Sequence, residues 1–444
     1  MLTRSDFSRD TSAGPAPGWT ARLVPSQAPD VPEADSDLTG RSFLIVTAPF
    51  GRFSRTLARV LRARGAEVSR MIFNAGDLFD WRDRDRIPFN LPAAAWPGRL
   101  RRLADRYTDI LVFGEGGPYN QGVLVQAEAL DARVWVLENG YFRPDWITIE
   151  QNGVNARSGL PRAPAGYQTP MAPPEPRHRV GRVLPHHVRN IVVYHLLQML
   201  CRPGWRHYSR PYTHPALSQA LGHIRRFIRL RFASPAHVDA DVLAAKGPFF
   251  LACLQREGDV QLIRYSRFAD NTAFLAEVMS SFARSAPADC RLVVKNHPLD
   301  PGLINQAKVV RFLAVEHGVE ARVDFIDGGN LAQLCRASRG MVVNNSSAAL
   351  SALGFGTPVK VLGSAFFDFP GLTDPQPLDG FWRAPKAADA KLFQRFRAHV
   401  IGRSQVNGSF HDPALVGTTA EGLAEVFATR RTTSARLKVV AKGG

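Results

Sequence analysis

Residues 341–363, MVVNNSSAALSALGFGTPVKVLG, constrain this chain more than any other stretch. An apolar β-type run stops abruptly at Asn344, Asn345, Ser346 and Ser347. A helix-forming run follows. Gly354, Gly356 and Pro358 then set a tight return into a second apolar run, VKVLG. That is a β-turn-α-β unit, and polar residues at the carboxyl end of its first strand usually face a ligand. Residues 291–302, RLVVKNHPLDPG, make the same transition from apolar strand to Lys295, His297 and Pro298. Together the two transitions suit a ligand that carries phosphate.

The same rhythm runs through most of the chain. SFLIVTAP (42–49) reads as a strong first strand, and VSRMIFNAGD (68–77), DILVFGEGG (109–117) and ARVWVLENG (132–140) each read as a buried strand ending in Gly, Asn or an acid. A second series starts at GPFFLACLQ (247–255) and continues through RLVVKNHP and ARVDFID to TPVKVLG. Strands that alternate with helices imply parallel sheets covered on both faces, an α/β class with two doubly wound domains. A length of 444 residues also favours two cores over one. The expected boundaries are a disordered tail over 1–40 and a first domain over 41–238 with a basic helical insert at about 160–233. A second domain covers 239–412, a helix over 413–431 crosses back to the first, and a basic tail covers 432–444.

Composition narrows the partners. The net charge is +17, and arginine supplies 48 of the 56 basic residues. Such a balance favours polyanionic partners: nucleotides, acidic glycans or anionic lipid. No repeated Arg/aromatic module is present, which ranks nucleic acid low. The longest apolar run, residues 190–201, is too short to span a bilayer. Four scattered cysteines suit a reducing cytoplasm, and the N-terminus lacks a hydrophobic signal segment, so export is not expected. The insert's Trp205, Tyr208 and Tyr212, with the basic helix at 216–233, suit an anionic lipid interface or, equally, an inter-domain contact.

Four groups carry candidate chemistry. In K-x-H-P, the His297 imidazole can donate to a phosphate and Lys295 can neutralise it, while Pro298 ends the strand. Asn345, Ser346 and Ser347, with Asn344, offer hydroxyls and amides for an anion or simply cap the next helix. Gln255 and Asp259 follow an apolar strand, and Asp259 is placed to act as nucleophile, as base or only as a turn acid. The stretch 137–155 gathers Glu138, Arg143, Asp145 and Glu150 in a long irregular loop, where Arg143 could fork to a sugar carboxylate. Two D-x-D triplets, Asp83–Asp85 and Asp239–Asp241, show only that the pattern arises by chance.

At these residues the chain resembles a known family. FLIVTAPFGRFSRTLARVLRARG, FNAGD, ENGYFRPDWITIEQNGVN, LQREGDVQ, KNHPLDPG and NNSSAALSALGFGTPVKVLGSAFFDFPGLT are similar to the KpsS/LipB-type capsule polysaccharide family, over roughly residues 41–375. The resemblance implies a GT-B architecture, two Rossmann-like domains facing across a cleft, and a retaining β-Kdo glycosyltransferase. It implies CMP-Kdo as donor and a lipid-linked acceptor of the phosphatidylglycerol type. His297, Pro298, Ser346 and Ser347 would contact CMP beside Lys295, Asn345 and Gln255. Asp259 would be the catalytic carboxylate, Glu138 or Asp145 the second acid, and Arg143 the contact to the donor carboxylate. Neither a cofactor nor a metal is expected. The implied place is cytoplasmic, at the inner face of the inner membrane, with capsule assembly and export components as partners and no nucleic acid. Two rivals are a non-catalytic export adaptor and a transferase of another CMP-activated acid such as sialic acid. The Pro- and Arg-rich stretch 156–215 and residues 1–40 depart from the family pattern.

Overall fold

The computed structural model describes residues 37–440 except 173, 211–213 and 233–237, with the side chains of 216 and 430–440 also outside the description. Most of the expected N-terminal tail, and Tyr212, therefore lie outside the described residues.

The first sheet is built from β1 (Ser42–Ile45), β2 (Glu67–Ile72), β3 (Arg86–Pro88), β4 (Asp109–Phe113), β5 (Arg133–Asn139) and β6 (Trp146–Gln151). The second comprises β7 (Phe249–Cys253), β8 (Arg291–Lys295), β9 (Val323–Ile326), β10 (Gly340–Val343) and β11 (Val359–Val361). β12 (Gln405–Asn407) returns to the first, giving the orders β12-β6-β5-β4-β1-β2-β3 and β11-β10-β7-β8-β9. The second sheet is parallel throughout, and so are β1 to β5 of the first. Parallel strands are buried on both faces, which is why they read as unbroken apolar runs. In β7, Phe249 and Leu251 enter the core on one side and Phe250 and Ala252 the core on the other.

Each sheet has one point where strand order reverses, between β1 and β4 in the first and between β7 and β10 in the second. Crevices open at the carboxyl ends of strands at such points. This two-lobed, doubly wound architecture is the GT-B layout.

Three expectations need correction. Residues 137–155 are no irregular loop: β6 pairs antiparallel with β5, with Glu138 opposite Thr148. Residues 405–407, expected in the second domain, add an antiparallel strand to β6 in the first sheet. The closing helix runs Val416–Val440, well past 431, so residues 432–440 continue it. It packs on the helix Phe53–Ala63, where the Arg41 guanidinium donates to the Phe427 carbonyl and Phe427 meets Phe43 and Trp135 at ring-centroid distances of 5.2 and 5.1 Å.

Two helices of the basic insert lie against different lobes. Leu184–Leu200 is held to the first lobe by Tyr194, which donates to Asp77 at 3.1 Å and accepts from Asn74 at 2.7 Å. Gly76 is obligatory there, because a Cβ would lie 2.5 Å from the Tyr194 ring. Ala216–Phe232 is held to the second lobe by Arg226, which pairs with Asp327 at 2.6 Å.

Candidate active site

The residues after β7 and β10 meet at the reversal point of the second sheet. Gln255 donates to Asn345 Oδ1 at 2.7 Å and accepts from Asn344 Nδ2 at 3.0 Å. Asn345 in turn donates to the carbonyls of Gln261 and Tyr265 at 2.9 and 3.0 Å. Asn271 donates to the Gln255 carbonyl at 2.8 Å. These amides are satisfied within the lobe, except that Asn344 Oδ1 is buried without a hydrogen-bond partner among the described residues. Gln255 and Asn345, expected to hold a ligand directly, tie the two strand ends together, and the turn after β11 reaches Asn344, whose carbonyl accepts from the Gly363 amide at 2.8 Å. Gly363 is required there, since a Cβ would lie 2.2 Å from Asn344 Oδ1. Ser346 and Ser347 remain half-buried at the rim, and Ser347 makes no side-chain cap to the seven-residue helix behind it.

His297 stands beside them on the loop after β8. Its Nδ1 accepts from the Leu299 amide at 3.0 Å, which leaves Nε2 as the proton-bearing nitrogen. Burial, together with the nearby charges of Arg143, Arg256 and Lys295, pushes the imidazole pKa down to about 4. The ring is a neutral N–H donor near pH 7. Pro298 is exposed, and its carbonyl accepts from Arg226 at 2.7 Å, so its contribution is to the loop's path. Lys295 is buried under the strand ends near Cys253 and Asp327, and burial lowers its pKa.

Asp259 starts the short helix Val260–Arg264, accepting from the Gln261 amide at 2.8 Å. Burial raises its pKa, against the Gln261 hydrogen bond and the charges of Arg256 and Arg143. Glu138, at the end of β5, faces it across the lobes. Its pKa is raised by burial and further by Asp259 and Glu115, while Asn139 and Arg143 oppose the rise. Gly114 takes a left-handed φ of +71° and leaves room for this carboxylate, since a Cβ there would sit 3.2 Å from Glu138 Oε2. Arg143 lies within electrostatic reach of Glu138, Asp259 and His297 together.

Asp145 does not join this group. Its carboxylate pairs with Arg179 at 2.7 Å and accepts from the Val180 amide at 2.8 Å, pinning the start of the insert. Glu150 is likewise internal, accepting from Tyr141 at 2.6 Å and from Ser158. Asp83 and Asp85 both pair with Arg62, and Asp239 caps a helix.

The structure adds Glu115, which is 1% exposed just after β4. One oxygen accepts from the Val154 amide at 2.8 Å. The other accepts from Gln261 of the second lobe at 3.5 Å, and the Tyr265 hydroxyl lies close to the carboxylate. Burial raises its pKa. Its sequence signal was present, an acid between glycines directly after a buried strand, but nothing there distinguishes it from the other acid-ended strands. Beside Tyr265 a cavity of about 570 Å³ is lined by Arg162, Arg264 and Arg267, which makes that side of the cleft cationic.

One buried and two half-buried carboxylates with raised pKa values, a neutral imidazole donor and an arginine thus gather at one cleft. Acids whose environments push their proton affinities apart can divide the roles of nucleophile and acid/base between them.

Residues 108–411 match the sequence profile of a family described as capsule polysaccharide biosynthesis protein. The chain is 32% identical over 388 residues to the capsule polysaccharide export protein KpsS of Escherichia coli, covering 84% of this chain and 98% of that one. The chain belongs to the capsule polysaccharide biosynthesis family. A second member, the capsule polysaccharide modification protein LipB of Neisseria meningitidis serogroup A, is 32% identical over 394 residues, 84% of this chain and 92% of LipB. Among solved structures, the β-Kdo 2,7 transferase of Thermosulfurimonas dismutans KpsC aligns with a TM-score of 0.40 and 13% identity, over 87% of this chain and 99% of that one. Those values are too low to transfer a role to any residue.

Proposed function

We propose that this member of the family is a retaining glycosyltransferase that moves Kdo from CMP-Kdo to a lipid-linked acceptor of the phosphatidylglycerol type, at the inner face of the inner membrane. The observation that supports the reading is that Asp259, Glu138 and neutral His297 all lie within electrostatic reach of Arg143, with their loops at the carboxyl ends of strands. In this reading the Asp259 carboxylate attacks the anomeric carbon, the bond to CMP breaks, and a glycosyl ester forms on Asp259. His297 Nε2–H donates to the departing phosphate, and Arg143 and Arg256 balance its charge without a metal. Arg143 also forks to the sugar carboxylate. The acceptor hydroxyl then displaces Asp259 and gives its proton to Glu138. Two inversions leave the configuration retained. Glu115 holds Gln261 and Tyr265, and through them the Asp259 turn, in register with the first lobe.

The test is turnover of CMP-Kdo by the purified protein with a synthetic lipid-linked acceptor, beside Asp259→Ala and His297→Ala. Asp259→Ala should abolish transfer. His297→Ala should lower kcat/KM on the order of tenfold or more, as expected for one charge-assisted hydrogen bond to the leaving phosphate. A wild type inert toward both CMP-Kdo and CMP-sialic acid would favour an export adaptor, and transfer from CMP-sialic acid alone would move the donor to that sugar.

A further inference from the structure

Residues 176–238 contain eleven arginines and not one aspartate or glutamate. This stretch includes the two insert helices, and each turns an apolar face away from the protein. On Ala216–Phe232, Leu217, Leu221, Ile224, Ile228 and Phe232 recur at helical spacing and are about half exposed or more. The opposite face is the one that is held: a Cβ on Gly222 would lie 2.2 Å from the Pro301 carbonyl, and Arg226 reaches Pro298, Asp300 and Asp327. Arg225 and Arg231 flank the stripe, exposed and with no ion pair among the described residues. Leu184–Leu200 repeats the arrangement on the first lobe. Leu184, Val188, Val192 and Leu196 are exposed on the side away from Tyr194 and Gln198, with Arg182 and Arg189 exposed nearby.

A scattered exposed leucine needs no explanation, but two continuous stripes rimmed by unpaired arginines do. A protein partner would need an acidic rim around an apolar centre. An anionic lipid surface supplies both, acyl chains for the stripes and headgroup phosphates for the arginines. No described helix is long and apolar enough to cross a membrane, so the stripes would lie in the interface plane.

We infer that the outer faces of Leu184–Leu200 and Ala216–Phe232 form a docking surface for an anionic lipid bilayer. The choice of lipid rests in part on the glycosyl-transfer reading, and it names the surface on which that site meets its acceptor. The helix that turns its stripe outward also holds, on its inner face, the loop that carries His297. Docking therefore sets the donor loop at a fixed height above the lipid.

The experiment is co-sedimentation with vesicles of phosphatidylglycerol and phosphatidylethanolamine, against vesicles of phosphatidylcholine alone, across a range of salt. The wild type should bind the anionic vesicles and lose binding as salt rises. The pairs Leu221→Glu/Ile228→Glu and Val188→Glu/Val192→Glu should each weaken binding on the order of tenfold or more. Arg225→Ala/Arg231→Ala should weaken it several-fold and flatten the salt dependence. Melting temperatures should not move, because these side chains are exposed. A wild type that ignores anionic vesicles, or variants that bind as well as it does, would overturn the inference. So would stripe variants that break a wild-type dimer in sedimentation velocity, which would assign the faces to a second copy of the chain. Vesicle binding requires no turnover. Loss of binding with CMP release to a water-soluble acceptor intact therefore leaves the enzymatic reading standing, and the converse result leaves the docking surface standing.

Discussion

Strand β4 carries an acid at each end, and the two have opposite surroundings. At its start, Asp109 is fully buried and held by Arg41, by Arg133 at 3.2 Å and by the Trp135 indole N–H at 2.8 Å. Just past its end, Glu115 is as deeply buried but accepts only from neutral donors, the Val154 amide and Gln261, with Arg157 acting on it without a salt bridge. The first acid is compensated by cations within one lobe. The second makes no salt bridge among the described residues: Arg157 only offsets part of its burial, and Glu138 stands next to it at the cleft. Burial alone therefore does not mark a functional acid in this fold. Burial at the carboxyl end of a strand, with no ion pair to hold the acid, is the better pointer to one.

The largest effect should come from the cleft. Asp259→Ala should cut the transfer rate at least roughly a thousandfold, a loss typical of removing a covalent nucleophile, with the circular dichroism spectrum unchanged. An effect under tenfold would move the nucleophile elsewhere. At the other end of β4, Asp109→Ala should cost about 3–5 kcal/mol, because Arg41 would remain buried without its partner. The check is a melting temperature lower by on the order of 10 °C. The same measurement on Glu115→Gln should show no loss, since the substitution removes a charge that burial disfavours, while kcat falls by roughly one to two orders of magnitude. If Glu115→Gln destabilised as much as Asp109→Ala, the distinction between the two ends of the strand would be lost.

The smallest effect is in pH. Asp259 must be ionised to attack, and burial raises its pKa above the usual carboxylate value of 3.8. Activity should therefore fall off on the acid side at a higher pH than an ordinary aspartate gives, read from the acid limb of kcat/KM. For stability the sign runs the other way. The contribution of Glu115, whose folded pKa is raised, is present at low pH and is lost as pH rises through that folded value. The stability of wild type relative to Glu115→Gln should decline over that same rise, and urea titrations at several pH values measure it.

These particulars also show what sequence could and could not carry. Strands such as FFLAC and RLVVK were legible because parallel strands are apolar on both faces. β12, with three residues and no pattern of its own, was not, because it exists only by pairing with β6. Asp259, Glu138, Arg143 and His297 could be picked out as strand-end residues, and the structure gathers them. The roles of Gln255 and Asn345 could not, since their amides are satisfied by partners up to 90 residues away. Asp145 was misleading for a local reason. It sits one residue before an unrecognised strand, and its partner Arg179 belongs to the insert.

The return of β12 and the closing helix to the first lobe has a consequence for synthesis. Phe43, Phe53 and Trp135 share their core with Phe410, Leu423 and Phe427. While the ribosome is still making the second lobe, that side of the first sheet is covered only in part, by the helix Phe53–Ala63, and the Arg41 guanidinium lacks its bond to the Phe427 carbonyl. The lobe made first is thus completed last. A nascent chain stalled before residue 405 should expose an apolar sheet face to chaperones even though every strand of its parallel core has already emerged.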